Sequence, residues 1–440
     1  MRRGALPLLA TSLALLATSC GGSENPIRIG LVADCEGFVA PFYDVTLAGG
    51  ELPLLRRGGK PAGSGPSQGV DGVEIGGRPL ELVFGCASDG TRAAIETRRL
   101  VESERVDVLV GPNVVPSAAV IAEYARHRPE VTFVIATWDM LAHLNPGPNV
   151  FRFTPTLAQL NAGLGAHAFR ELGWRRAVTI ATADASSWGF QAGFVGEFCS
   201  LGGEIADRIW LDTFPEEVPA ILAEVETDGV DGFFLATDSY AAGVFLERFA
   251  QLEPELAGRV IGGGSSLVLD PAVARRLGDR LIGIVKAGDL PLVSPTPELA
   301  AYIQEFEQAY PHLAETASIA EHAFDIPFYN AMEAVLLALE DVDGELSGEQ
   351  ERFRSALARI ELDAPGGRVR LDDNRQAIVP VYLAQVSSSE DGRLSFRDLR
   401  TVEDVDASFG GRFEPGHAPP DRTEPPCEAG NPPGWAAGGG

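Results

Sequence analysis

Lysine is scarce. Of 35 basic residues only Lys60 and Lys286 are lysine, a bias toward arginine that carries no chemistry of its own, while 62 acidic residues leave a formal charge of −27. A surface of that sign repels phosphate backbones, so no nucleic-acid partner is expected. Long apolar runs are missing after the first twenty residues; nothing else approaches the roughly 20 residues that span a bilayer. The six histidines (His127, His143, His167, His312, His322 and His417) show no pairing at i, i+4 and no HExxH, so no metal site is expected. Glycine-rich stretches lack a phosphate-binding GxxxxGK(S/T) loop, and Gly263-Gly264-Ser265-Ser266-Leu267 lacks the closing glycine of a nucleophile elbow. No catalytic residue and no cofactor is assigned on these grounds.

What is present is a repeated β-α pattern in a chain of 440 residues, 45% hydrophobic, enough for one large or two medium cores. The stretch Arg105–Met140 sets the pattern. Val106, Val108, Leu109 and Val110 form a buried strand bounded by Gly111-Pro112, and Ala118, Val120, Ile121, Tyr124 and Ala125 form a helix behind a Ser117 cap. Val131 to Ala136 is a second buried strand, ending at Thr137-Trp138-Asp139. Two parallel strands joined by a right-handed crossover leave both polar loops at the carboxyl edge of the sheet, where open α/β sheets bind ligands.

Upstream, Ile27–Ala33 is a strand followed by the loop Asp34-Cys35-Glu36-Gly37. Phe38 to Leu55 has helical spacing interrupted by Gly49-Gly50, residues 58–72 read as a surface insertion, and Leu80–Phe84 is a strand. After the extended Phe151–Pro155 the series restarts. A helix is expected over Leu157–Leu172, strands over Ala177–Ala181, Ile209–Leu211, Gly232–Ala236, Val260–Ile261 and Leu281–Val285, and a return crossover over Leu290–Pro297. Helices then cover Glu298–Tyr310, Ser318–Leu339 and Gly348–Ile360, before a strand pair, Gly366–Leu371 and Ala377–Val386. The fold class is α/β, two doubly wound parallel-sheet lobes joined by a multi-strand hinge. Lobe 1 is assigned residues 27–152 plus 288–365 and lobe 2 residues 153–287 plus 366–400. Residues 401–440, rich in Pro, Gly and acid, are read as a disordered tail unless Cys427 ties them down.

Residues 1–19 have the basic start and short apolar run of an export signal. Ala17-Thr18-Ser19-Cys20 resembles the lipobox of bacterial lipoproteins, which implies lipidation at Cys20, a tether over residues 20–26, and a membrane anchor at the outer face of the cytoplasmic membrane or in the periplasm. The four other cysteines, in an exported chain, allow three pairings. Cys35 and Cys86 each lie just past a predicted strand of the same sheet, which favours that pair and leaves Cys199 with Cys427.

The span from Ile27 to about Val386 resembles the type I periplasmic binding proteins of the branched-chain amino acid class, which deliver solutes to ABC importers. The residues that carry the likeness are IRIGLVA at the start, Gly76-Gly77-Arg78-Pro79-Leu80-Glu81-Leu82, VDVLVGPNVVPSAAV, FRFTPT, Trp188-Gly189 and DAPGGRVRLDDN. The resemblance implies a small, amino acid-like ligand held between closing lobes and an ABC permease as membrane partner. It implies that the loop after the third strand (Asn113, Val115, Ser117) and the loop after the fourth (Thr137, Trp138) hold the ligand carboxylate through hydroxyls and amides; Asp139, in the second loop, departs from the family and would repel a carboxylate unless it caps the next helix. Phe42 and Trp188 fall where the family has aromatic covers. Gly264 or Ser265 falls where it has an acid for the ligand ammonium; Asp238, with Tyr240 nearby, is the replacement this sequence offers. Two other classes stay open: a receptor of the same fold signalling to a membrane partner, and an α/β hydrolase using Ser265.

Overall fold

Strand β1 (Ile27–Asp34) runs through the interior of the first sheet: all of its residues except Arg28 and the terminal Asp34 are apolar or glycine, and all except Arg28 are buried. The computed structural model describes residues 25–138, 140, 147–211, 216–252, 256–263, 271–291, 293–314, 322–389 and 393–438. The first sheet adds β2 (Glu74–Ile75), β3 (Arg78–Ala87), β4 (Val108–Val110), β5 (Thr132–Val134) and β6 (Val150–Phe151), in the order β2-β3-β1-β4-β5-β6. All neighbours are parallel except β2 with β3. Such strands are covered on both faces, which is why they read as continuous apolar runs.

Each face has its own helices. Ile29, Leu31, Val108, Val110 and Val134 pack with α1 (Tyr43–Arg56) and α9 (His322–Asp341), whereas Val32, Leu109, Phe133 and Ile135 pack with α2 (Gly90–Arg98) and α3 (Val115–Ala125). Each fully buried Val, Leu or Phe contributes roughly 1.5–3 kcal/mol. The Gly49-Gly50 pair, a weak spot in an isolated helix, is what lets α1 approach α9: a Cβ on Gly49 would stand 2.7 Å from Asp325 Cβ and closer still to the Asp325 carbonyl oxygen.

The second sheet is built from β7 (Arg176–Thr182), β8 (Glu204–Leu211), β9 (Gly232–Ala236), β10 (Val260–Gly263), β11 (Val285–Gly288), β12 (Leu362–Ala364), β13 (Gly367–Leu371), β14 (Ala377–Ser388) and β15 (Leu394–Val405). Its order is β8-β7-β9-β10-β11-β14-β13-β12, with β15 also on β14. The first five are parallel, and β14 closes on β11 antiparallel. Helices α4 (Ala185–Ser200), α5 (Val218–Ala223), α6 (Ser239–Leu252) and α7 (Pro271–Leu277) follow its strands, and α8 (Pro297–Ala309) and α10 (Glu351–Leu357) return to the first lobe. The chain crosses between the lobes near residues 152–156, 289–296 and 358–361, and the turn between β13 and β14 touches the first of these where Arg152 N donates to the Arg375 carbonyl at 3.1 Å.

Several expectations are corrected. The helix over Leu157–Leu172 is broken at Gly163, whose φ of 90° is left-handed. The buried Glu197 carboxylate accepts from Gly163 N at 2.9 Å and Gly165 N at 3.1 Å, outweighing one more turn of helix. The strand expected at Leu281–Val285 forms at Val285–Gly288, after a 3-10 turn over Gly278–Leu281. Leu362–Ala364, assigned to lobe 1, joins the second sheet, so the lobe boundary precedes it. Residues 401–438 are ordered: β15 runs to Val405, and Phe409 and Phe413 are buried with Trp435 edge-on to Phe409 at 5.0 Å. Arg208 donates to the Thr423 and Pro425 carbonyls at 2.7 and 2.6 Å, and Cys427 is bonded to Cys199 with a Cα–Cα distance of 5.2 Å. Proline and glycine limit regular structure there to the end of β15 and a short helix at Gly434–Ala437 without precluding packing.

Candidate functional site

Asp34 ends β1 at the carboxyl edge of the first sheet, beside the loop between β4 and α3. It is 1% exposed, and its carboxylate accepts from Ser117 Oγ at 3.0 Å and from Asn113 N at 3.3 Å. Val114 N is a further donor. In return, Asp34 N donates to Asn113 Oδ1 at 2.8 Å. Thr137 Oγ1 donates to the Asn113 carbonyl at 3.2 Å, joining the loop after β5 to the same group. Burial pushes the Asp34 carboxyl up, against the pull of Ser117, Asn113 and Val114. The Cys35–Cys86 disulfide, with a Cα–Cα distance of 5.4 Å, fastens the next residue of this loop to the end of β3.

Thus Asn113, Ser117 and Thr137 do come together, but around a protein carboxylate. Ser117, expected to offer its hydroxyl to a ligand, is fully buried and donates to Asp34 instead. Val115 is the half-buried first residue of α3. One polar atom of the group is unspent: Asn113 is 4% exposed, and its Nδ2 has no acceptor among the described residues.

An aromatic group adjoins it in the same lobe. Phe42 stacks on Phe324 of α9 at 4.3 Å, and Trp138 meets Phe324 edge-on at 6.0 Å. Trp138 also reaches the other lobe's exit strand: its Nε1 donates to Asp289 Oδ2 at 3.3 Å, one residue past β11, and its carbonyl accepts from Leu157 N at 2.7 Å. Burial pushes the Asp289 carboxyl up, opposed by the Trp138 bond. It also lowers Lys286, whose ammonium lies 5.4 Å from the Phe396 ring centre.

From the second lobe, Trp188 lies in the first turn of α4, capped by Asp184, whose carboxylate accepts from Ser187 N at 2.9 Å. Its ring is half-buried, and its Nε1 is buried with no acceptor among the described residues. Asp238 is exposed and caps α6, its Oδ1 accepting from Ala241 N at 2.8 Å, while Tyr240 is 53% exposed. Asp238 is thus a solvated cap, and an ammonium would find it a desolvated partner only if the ligand covered it. Asp139, Gly264, Ser265 and Cys20 lie outside the described residues. A separate pocket of about 460 Å³ is lined entirely by lobe 2, with Arg176, Asp207, Ile209, Glu224 and Asp228 among its walls.

Sequence reasoning missed Asp34, Asp289 and Phe324 as members of the site. Asp34 had a legible signal, an acid closing a strand otherwise buried, since a buried carboxylate needs dedicated donors. Asp289 and Phe324 had none, because their partners are distant in the chain.

Two doubly wound lobes whose carboxyl-edge loops meet at their crossovers define the type I periplasmic binding protein fold. Residues 26–393 match the family model described as periplasmic binding protein, and the chain belongs to that family. No curated protein matches the chain. Among solved structures, an ABC transporter substrate-binding protein from Sphaerobacter thermophilus aligns over 87% of this chain and 99% of its own, at 23% identity and a TM-score of 0.70. A solute binding protein of an ABC transporter from R. palustris in complex with benzoate aligns over 86% and 98%, at 22% identity and a TM-score of 0.65. The leucine binding protein LivK from Thermotoga maritima covers 86% and 99%, at 18% identity and a TM-score of 0.65. These likenesses carry the fold.

Proposed function

We propose that the chain is a lipid-anchored extracytoplasmic solute-binding protein of an ABC importer, closing its lobes on an amino acid or a related small polar molecule. The observation that carries this reading is the contact between the two sheets' carboxyl edges, Trp138 after β5 with Asp289 after β11. Loops that end parallel strands are where such sheets bind ligands, and here loops from both sheets share one hinge region. A ligand touching both lobes favours the closed arrangement by as much as its contacts differ between open and closed states. The permease would read that change of shape, with no covalent step. Family membership supports a binding role, and the benzoate bound by the similar protein from R. palustris supports a small organic solute. Support for the anchor is the Ala17-Thr18-Ser19-Cys20 sequence and the short tether after it.

The test is a thermal-shift screen of the purified protein against amino acids, their amides and small aromatic acids and alcohols. A true ligand at a hundred times its Kd stabilises the protein by about 2.7 kcal/mol. A cooperative melt that no compound shifts would count against a solute-binding role. For the anchor, Cys20→Ser should move the protein from the membrane fraction to the soluble fraction; an unchanged distribution refutes lipidation.

A further inference from the structure

We infer that the end of the ligand that meets lobe 1 is not an anion but an uncharged oxygen acceptor, such as a carboxamide or an alcohol, taken by Asn113 Nδ2. This rests on the binding role proposed above and narrows it.

The position where an anion would sit already has a carboxylate beside it. The start of α3, an eleven-residue helix, offers the free N–H groups and positive dipole end that favour negative charge. Asp34 lies beside that position, taking the Ser117 Oγ–H of the first turn and the Asn113 and Val114 N–H groups just before it. The two backbone amides can only donate and the Ser117 hydroxyl can donate too, a set of partners that suits the carboxylate form. A second carboxylate brought to the same place would meet a buried like charge and would find the Ser117 hydroxyl and the Asn113 and Val114 amides already engaged. Like charges in a site that excludes water repel far more strongly than in bulk.

What remains at this end of the cleft is a donor. The identity of the Asn113 amide is settled by its neighbour, since Asp34 N must donate to an oxygen, which puts Oδ1 toward β1 and leaves Nδ2 facing away from it. Asn113 is 4% exposed and its Nδ2 has no acceptor among the described residues. A buried unpaired donor is costly, and a ligand oxygen that accepts from it removes the cost on binding. From lobe 2, the buried Trp188 Nε1 is likewise a neutral donor without an acceptor among the described residues. The rings of Phe42, Phe324 and Trp138 next to this group suit a flat or branched apolar body.

The experiment measures Kd by calorimetry on the purified protein for matched pairs that share a carbon skeleton: benzamide against benzoate, benzyl alcohol against benzoate, and isovaleramide against isovalerate. The neutral member of each binding pair is expected to be tighter by at least about tenfold. Asp34→Asn keeps an oxygen for the Asn113 and Val114 amides and gives the Ser117 hydroxyl a donor to accept from. It should shrink that preference about tenfold by admitting the carboxylate. Carboxylates that bind the unaltered protein as tightly as their amides overturn the inference and leave the binding role standing. An unchanged preference in folded Asp34→Asn overturns the part given to Asp34. Should no member of any pair bind a protein that melts cooperatively, both the inference and the binding role fall. The comparison within the unaltered protein decides the matter even where the variant does not fold.

Discussion

Glu197 should make this protein less stable as the pH rises through neutrality. It is a fully buried carboxyl on α4 that caps the broken chain at Gly163 and Gly165, and burial raises it to about 7 from an ordinary 4.5. An acid raised by folding holds its proton in the native state at pH values where the unfolded chain has released it. Its contribution is therefore complete below about pH 4.5 and is lost as pH rises through about 7. A shift of that size corresponds to about 3 kcal/mol, with a slope of up to about 1.4 kcal/mol per pH unit across the window. Glu51 adds to the trend in the same direction: it is buried, bonded to the Tyr310 hydroxyl at 2.5 Å, and raised to about 8. The assay is urea denaturation at pH 5, 6, 7 and 8, comparing the unaltered protein with Glu197→Gln. A glutamine oxygen can keep both amide bonds, because Gly163 N and Gly165 N share Oε2. The variant should lose stability less steeply between pH 5 and 7. Equal slopes in the two proteins would refute the reasoning, whatever their absolute stabilities.

The tail and the α1–α9 contact give two more expectations. Cys427→Ser opens a link of sequence separation 228, worth about 5 kcal/mol by the chain-entropy relation, so the melting temperature should fall and should lose its response to reductant at this bond; an unchanged melt would mean the packing of Phe409, Phe413 and Trp435 alone secures the tail. Gly49→Ala drives a methyl into the Asp325 backbone and should destabilise by roughly 1–3 kcal/mol despite the better helix propensity of alanine. A stabilised variant in chemical denaturation would show that the two helices can separate at no cost.

Particular residues show how far local pattern reached. IRIGLVA and GFFLA are strands, and VDVLV and VTFVI each hold a three-residue one, because short runs of mostly apolar residues between turn signals have few places to go except a sheet covered on both faces. The Leu157–Leu172 segment misled for a physical reason: its helical spacing is real, but a buried carboxylate 34 residues on holds the Gly163 amide, and no local signal carries that contact. The tail misled similarly, since composition reports on regular structure and is silent on a disulfide and three aromatic rings seated on a neighbouring lobe.

The linear chain by itself determined the α/β class, the two-lobe division and the set of loops at the strand tips, since periodicity and punctuation are properties of neighbours in sequence. Only the tertiary structure decided what those loops do with their side chains. Asp34 and Ser117 are 83 residues apart, Trp138 and Asp289 151 residues apart. Whether a hydroxyl faces a ligand or a buried acid depends on which strands the sheet sets side by side, and that pairing is a long-range choice no local window contains.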